Sequence, residues 1–226
     1  MDRVIAITGA SSGIGEAIAV EAAAAGWRVA LAARRADKLD DLVERIGDDR
    51  ALAIGCDVGR MGDCTRAVET TLERFGRIDA VIANAGLGAT VAGVEGGDPE
   101  NWAEMARTNL LGVAHTAKAT LPALRDSTGH FVVMGSVAGR RALKGSFYGA
   151  TKWGANGYGY NLRGYLAGTG IRVTVVEPGM VDTPFFDEPK PGVLTAGDIA
   201  ASVLFALSQP PHVEIHELTI LPCRRD

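Results

Sequence analysis

Cysteine is scarce in this chain: Cys56, Cys64 and Cys223 are the only three among 226 residues. An odd number, without the spacing of a metal site, argues against a disulfide framework and fits free thiols in a reducing cytoplasm. An excess of one charge is missing too. Lys and Arg number 23 against 27 Asp and Glu, a formal net charge of −4, so no general attraction to nucleic acid or to an anionic membrane is expected. No apolar run approaches the roughly 18 residues needed to span a bilayer. The opening Met1-Asp2-Arg3 passes straight into a strand-like run, so neither a signal nor a transit peptide is expected there. Internal repeats, low-complexity stretches and an interdomain linker are absent as well. What is present is 47% hydrophobic and 22% charged, the composition of one globular domain over residues 1–226 with a substantial core.

Strand-like and helix-like stretches alternate. Val4-Ile5-Ala6-Ile7 reads as a strand, followed by a glycine turn and an Ala-rich helix over 16–25 that Gly26 closes. Further strands are expected at 28–33, 51–55, 78–83, 131–134, 171–176 and 218–221. Helices are expected at 36–46, 63–75, 99–125, 146–167 and 195–207, the last opened by the capping-box pair Thr195 and Asp198. This alternation predicts an α/β fold: a Rossmann-type, doubly wound, seven-stranded parallel sheet with helices on both faces.

The first turn, Gly9-Ala10-Ser11-Ser12-Gly13-Ile14-Gly15, stands between strand and helix. Gly9 permits the tight turn, Gly13 a close backbone approach to a pyrophosphate, and Gly15 close helix–strand packing. Free N–H groups at a helix start bind phosphate. The second strand ends Ala33-Arg34-Arg35, with alanine where an acid would hold ribose hydroxyls. Arg34 and Arg35 there favour a 2′-phosphate, to which Ser11 can add a hydroxyl, or else they are surface residues at a strand end. Asp57, at the end of the third strand, either accepts from an adenine amino group or caps the next helix. Asn84, in Asn84-Ala85-Gly86, ties strand ends beside a cofactor or is a plain turn residue. Asn109 lies mid-helix and Ser136 just past the fifth strand; alone, neither specifies a function.

Tyr148 and Lys152 are four apart at helical spacing, on one helix face. A phenol titrates near 10, and an adjacent ammonium favours the phenolate, so the pair can serve as a general acid/base near neutral pH. Phe185, Phe186, Met180 and Leu143 are candidates for an apolar pocket, for core or for an interface.

Thr8-Gly9-Ala10-Ser11-Ser12-Gly13-Ile14-Gly15, Cys56-Asp57-Val58, Asn84-Ala85-Gly86, Asn109, Ser136, Tyr148-x-x-x-Lys152 and Pro178-Gly179 together resemble the short-chain dehydrogenase/reductase family over nearly the whole chain. The resemblance implies that Tyr148 is the acid/base and that Ser136 hydrogen-bonds the substrate oxygen. It implies that Lys152 lowers the tyrosine pKa and holds the nicotinamide ribose, and that Asn109 anchors a proton-relaying water chain. Ser12, Ile14, Val58, Ala85, Gly86, Pro178, Gly179, Val181 and Thr183 join the cofactor contacts. The closing segment 212–222 looks like the branch that includes NADP-dependent serine and 3-hydroxy acid dehydrogenases.

The implied protein is an NADP(H)-dependent cytoplasmic oxidoreductase without a metal, acting on a small carbonyl or alcohol substrate. It is implied to be a homodimer or homotetramer, with a substrate lid within about 180–195 that is shorter than usual between Phe186 and Thr195. A catalytically silent NADP(H) sensor or scaffold is the alternative on the same fold. A sugar epimerase or dehydratase would need a larger C-terminal substrate domain than the residues after the sixth strand provide.

Overall fold

The computed structural model describes residues 2–223. Seven strands form one parallel sheet: β1 (Val4–Thr8), β2 (Arg28–Ala33), β3 (Ala51–Gly55), β4 (Ala80–Ala83), β5 (His130–Met134), β6 (Arg172–Pro178) and, at the far edge, the strand Glu217–Ile220. Chain order makes that last strand β9. The sheet order is β3-β2-β1-β4-β5-β6-β9, so the winding direction reverses between β1 and β4. Ligands bind outside the carboxyl ends of the strands at such a reversal.

The strands are long apolar runs because both faces of the sheet are covered. Ile5, Ile7, Val29 and Leu31 point to one side and pack with Ile18 and Ala22 of helix α1 (Gly13–Ala24) and Ile199 and Val203 of α7 (Ala196–Ser208). Val81, Phe131, Val133 and Val175 point to the other side, against Ala117 and Leu124 of α5 (Gly112–Ser127) and Ala155 and Leu162 of α6 (Phe147–Leu166). Helices α2 (Ala36–Ile46) and α3 (Met61–Phe75) complete the two layers.

Several boundaries differ from the sequence reading, each for a local reason. Helix α1 begins at Gly13, one turn before the expected start, because its first turn is built from the glycines that look like loop. Gly26 follows that helix with φ +86, the left-handed turn expected of it. Strand β6 runs on through Pro178, where only its pairing with β9 reveals it. The segment expected as one helix over 99–125 is α4 (Pro99–Met105), a π-helical turn (Ala106–Leu111) and α5. Thr195 and Asp198 do form the reciprocal capping box at the start of α7.

A two-residue ladder was not legible in the sequence. Strand β7 (Val181–Asp182) pairs in parallel with β8 (Leu194–Thr195), and Leu194 N–H also donates to the Met180 carbonyl at 3.2 Å. The ladder pinches the loop 183–193 at its base.

Candidate active site

A cleft of about 510 Å³ opens at the carboxyl edge of the sheet. Gly9, Ser11, Ser12, Gly13, Ile14, Arg34, Arg35, Asp57, Val58, Asn84, Ala85, Gly86, Ser136, Tyr148, Lys152, Pro178, Gly179, Val181 and Thr183 all line it. Among the residues singled out from the sequence, Gly15 and Asn109 stand behind its wall. Phe185 and Phe186 line the cleft, whereas Met180 and Leu143 lie outside it.

One end is built for a phosphate. Gly9 and Gly13 sit at φ +66 and +59, a region that side chains make costly. A Cβ on Gly9 would lie 2.7 Å from Ala85 Cα, and one on Gly15 would lie 2.4 Å from the Gly9 carbonyl oxygen. Asn84 fixes this approach by donating to the Thr8 and Gly9 carbonyls at 2.9 and 3.2 Å. Thr8, which opens the glycine motif but was given no role of its own from the sequence, closes the link through its hydroxyl: Oγ1 accepts from Asn84 N–H at 3.0 Å and donates to the Ile82 carbonyl. Ser12 stands at the N-cap position of α1 in an extended conformation and its side chain makes no capping bond, so its hydroxyl does not take up the first N–H groups, which no helix satisfies internally. The close backbone, the uncapped helix start and its dipole suit a pyrophosphate.

The two arginines divide. Arg34 pairs with Glu104 at 2.8 Å. Arg35 reaches the glycine turn, donating from Nη2 to Ser11 and Ser12 Oγ at 2.9 and 2.7 Å and from Nε to Ser11 at 3.2 Å. Arg34 therefore lies beside the turn with its charge already engaged, and Arg35 presents the fork. Asp57 uses Oδ1 to accept from Gly59 N–H at 2.9 Å, a local turn ahead of α3; the N-cap of that helix is Arg60, not Asp57.

At the other end, Ser146 caps α6 by accepting from Gly149 N–H at 3.0 Å, which starts the helix just before Tyr148. Lys152, one turn on and 6% exposed, donates from Nζ to the Met134 carbonyl at 2.9 Å. Its Nζ is 5.9 Å from the centre of the Tyr148 ring. Burial pulls the lysine down to a pKa of about 8. Tyr148 is moved the opposite way from the expectation: burial pushes the phenol up, and the Ser136 side chain beside it brings it partly back. Desolvation acts on both groups and favours their neutral forms, and the ammonium is committed to a backbone carbonyl.

Asn109 sits in the π-helical turn, 1% exposed. Its Oδ1 accepts from Leu87 N–H and its Nδ2 donates to the Leu87 carbonyl, both at 2.9 Å; Nδ2 also donates to Thr151 Oγ1 at 3.0 Å. The wide π turn is where a functional residue commonly leaves the regular helix. Here it lets one side chain clamp the 84–88 loop to α6. Phe185 packs against Tyr148 with ring centres 5.6 Å apart. A Cβ on Gly88 would come within 2.8 Å of the same ring, so Gly88 makes the slot for it. No group of three or more His, Cys, Asp or Glu side chains suited to a metal occurs among the described residues. None of the described helices is long and apolar enough to cross a membrane.

The parallel sheet, glycine turn and Ser-Tyr-Lys wall define a class of dinucleotide-fold proteins. Residues 3–192 match the short chain dehydrogenase family, and the chain belongs to that family of oxidoreductases. An uncharacterized oxidoreductase of Staphylococcus saprophyticus is 38% identical over 98% of this chain and 97% of its own length. The solved alcohol dehydrogenase of the archaeon Thermococcus sibiricus, complexed with 5-hydroxy-NADP, is 32% identical over the whole of both chains with a TM-score of 0.91. Serine dehydrogenase from Escherichia coli is 30% identical over 97% of each chain with a TM-score of 0.88. Similar structures include complexes with NADP+ and with NADH.

Proposed function

We propose that this chain is an NADP(H)-dependent oxidoreductase that interconverts a secondary alcohol and its ketone, with Tyr148 as general acid/base. The observation that carries this reading is the meeting of Ser136, Tyr148 and Lys152 in the lining of one cleft, with Lys152 buried one helical turn from Tyr148. A bound nicotinamide dinucleotide supplies or accepts the hydride. The protein's part is position and proton transfer. During reduction, the Ser136 and Tyr148 hydroxyls donate to the substrate carbonyl, and Tyr148 gives up its proton as alkoxide charge develops. Lys152 is mostly cationic at neutral pH, given its pKa of about 8, and favours the phenolate left behind. Asn109, Leu87 and Thr151 hold the loop and helix that bear on this centre.

The choice of NADP(H) rests on Arg35 over the Ser11 and Ser12 hydroxyls and on Ala33, which leaves no carboxylate to repel a 2′-phosphate. Phe185 and Phe186 make an aromatic wall beside Tyr148, which favours ketones with an apolar flank. The loop 183–193 above them is the proposed substrate lid of a single-domain enzyme. Leu111 and Trp153 are 47% and 52% exposed on helical segments that meet where Leu110 covers Gly154. We assign this face to a two-fold contact between copies.

The test is NADPH oxidation followed by absorbance with a panel of aryl ketones, cyclic ketones and keto acids, repeated with NADH. Turnover of a ketone with NADPH supports the reading. Saturable NADPH binding with no turnover on any of them favours the silent sensor.

A further inference from the structure

Asn156 of α6 and Glu177 of β6 stand outside the cleft lining, yet they are tied to Ser136 in its wall. The Glu177 carboxylate is fully buried at the end of β6, directly before Pro178 and Gly179 of the cleft wall. It accepts from four donors. Arg140 Nε and Thr219 Oγ1 reach Oε2 at 2.5 and 3.0 Å, and Asn156 Nδ2 and the Tyr160 hydroxyl reach Oε1 at 2.7 and 3.0 Å. Arg140 also pairs with Glu217 on β9.

An ionised carboxylate only accepts. Asn156 must therefore turn its NH2 group toward Glu177, and its amide cannot flip without setting oxygen against oxygen. The same Nδ2 donates to the Ser136 carbonyl at 3.2 Å, which leaves Oδ1 to accept from Ser136 N–H at 3.4 Å. Both backbone polar groups of Ser136 thus meet a single side chain that is 1% exposed. Two glycines make room for it. A Cβ on Gly135 would lie 2.1 Å from Asn156 Oδ1, and one on Gly139 would lie 2.6 Å from Nδ2.

We infer that Glu177 and Asn156 form a positioning relay: Glu177 fixes the orientation of the Asn156 amide, and Asn156 fixes Ser136 in the cleft wall that it shares with Tyr148. Neither residue touches the reacting atoms. Their effect passes through Ser136, so the inference rests on the roles proposed above for Ser136 and Tyr148. A displaced Ser136 favours the phenolate less, and the phenol then ionises at higher pH.

The experiment is a double-mutant cycle of Asn156→Ala and Ser136→Ala. It is read as kcat, KM for NADPH and the pH dependence of alcohol oxidation, with melting temperature as the check on folding. Asn156→Ala is expected to lower kcat about 10- to 100-fold with KM for NADPH within about threefold, a loss of one to two hydrogen bonds' worth of positioning. In the Ser136→Ala background the same change should cost less than about threefold. The midpoint of the pH profile should move upward in Asn156→Ala. Asn156→Ser, which keeps a polar group but cannot bridge Glu177 to Ser136, serves if the alanine variant does not fold. Fully additive losses, or an Asn156 variant with more than a third of wild-type kcat while Ser136→Ala is crippled, would overturn the relay. If Ser136→Ala itself retains full activity, the failure lies with the reading of the site instead.

Discussion

The guanidinium of Arg35 spans the hydroxyls of Ser11 and Ser12, with Nη2 at 2.9 and 2.7 Å. Arg34, its neighbour in sequence, turns away to Glu104. A 2′-phosphate arriving at the end of β2 would meet one prepared fork and one arginine already paired. Arg35→Ala is expected to lower kcat/KM for NADPH about 10- to 100-fold and leave that for NADH nearly unchanged. A charge-assisted hydrogen bond is worth roughly 1.5–3 kcal/mol, at about 1.4 kcal/mol per tenfold. Arg34→Ala should cost severalfold less. Steady-state kinetics with both cofactors, at low and moderate salt, check the difference.

The burial of Lys152 costs stability. Its folded pKa of about 8 lies below the ordinary lysine value of 10.5, so the unfolded chain binds more protons between those pH values. Stability therefore rises with pH through that window, and the burial cost is present in full at pH 7. At about 1.4 kcal/mol per pKa unit the cost is roughly 3 kcal/mol, offset in part by the bond to the Met134 carbonyl. Lys152→Met should raise the melting temperature by a few degrees at pH 7, with a smaller gain at pH 9.5, and should abolish turnover. Calorimetry at the two pH values measures it.

His130 sets the acid limit. It is buried, bonded through Nε2 to Thr174 Oγ1 at 2.7 Å, and its Nδ1 has no partner among the described residues. Burial, with Arg172 nearby, pulls its pKa to about 3. Here the unfolded chain binds the proton first. Stability held above about pH 6.5 is lost as pH falls toward the folded value, by roughly 2 kcal/mol at pH 5 from this residue alone. His130→Leu should flatten that part of the urea-unfolding profile between pH 7 and 5.

Sheet and layers were legible because parallel strands covered on both sides write themselves as apolar runs such as Val4–Thr8 and His130–Met134. The glycine turn and the Tyr148–Lys152 pair were legible because each needs particular residues at fixed short spacing. The partners of Ser136 were not. Asn156 is 20 residues from it along the chain, and Glu177, which holds Asn156, is 41 residues from it; the three come together only once β5, α6 and β6 lie side by side. The split between Arg34 and Arg35 depends on Glu104 arriving from α4. The direction of the Tyr148 shift depends on burial, which the four-residue spacing does not encode. The β7–β8 ladder is two residues long, too short to leave a periodic pattern.

Leu111 and Trp153 should hold two copies together. Light scattering at micromolar concentration is expected to report at least a dimer. Trp153→Glu places a charge on the exposed half of α6 and should release monomers that keep their far-ultraviolet dichroism. A wild-type monomer would remove this face from the assembly.

The central claim is that Tyr148 moves the proton. The most direct measurement is single-turnover ketone reduction by Tyr148→Phe beside wild type, with NADPH affinity determined on the same samples by fluorescence. The cleft predicts NADPH binding within about threefold of wild type and a rate two to four orders of magnitude lower, as for a lost general acid. A Tyr148→Phe enzyme that binds NADPH and keeps more than a tenth of the wild-type rate would contradict it.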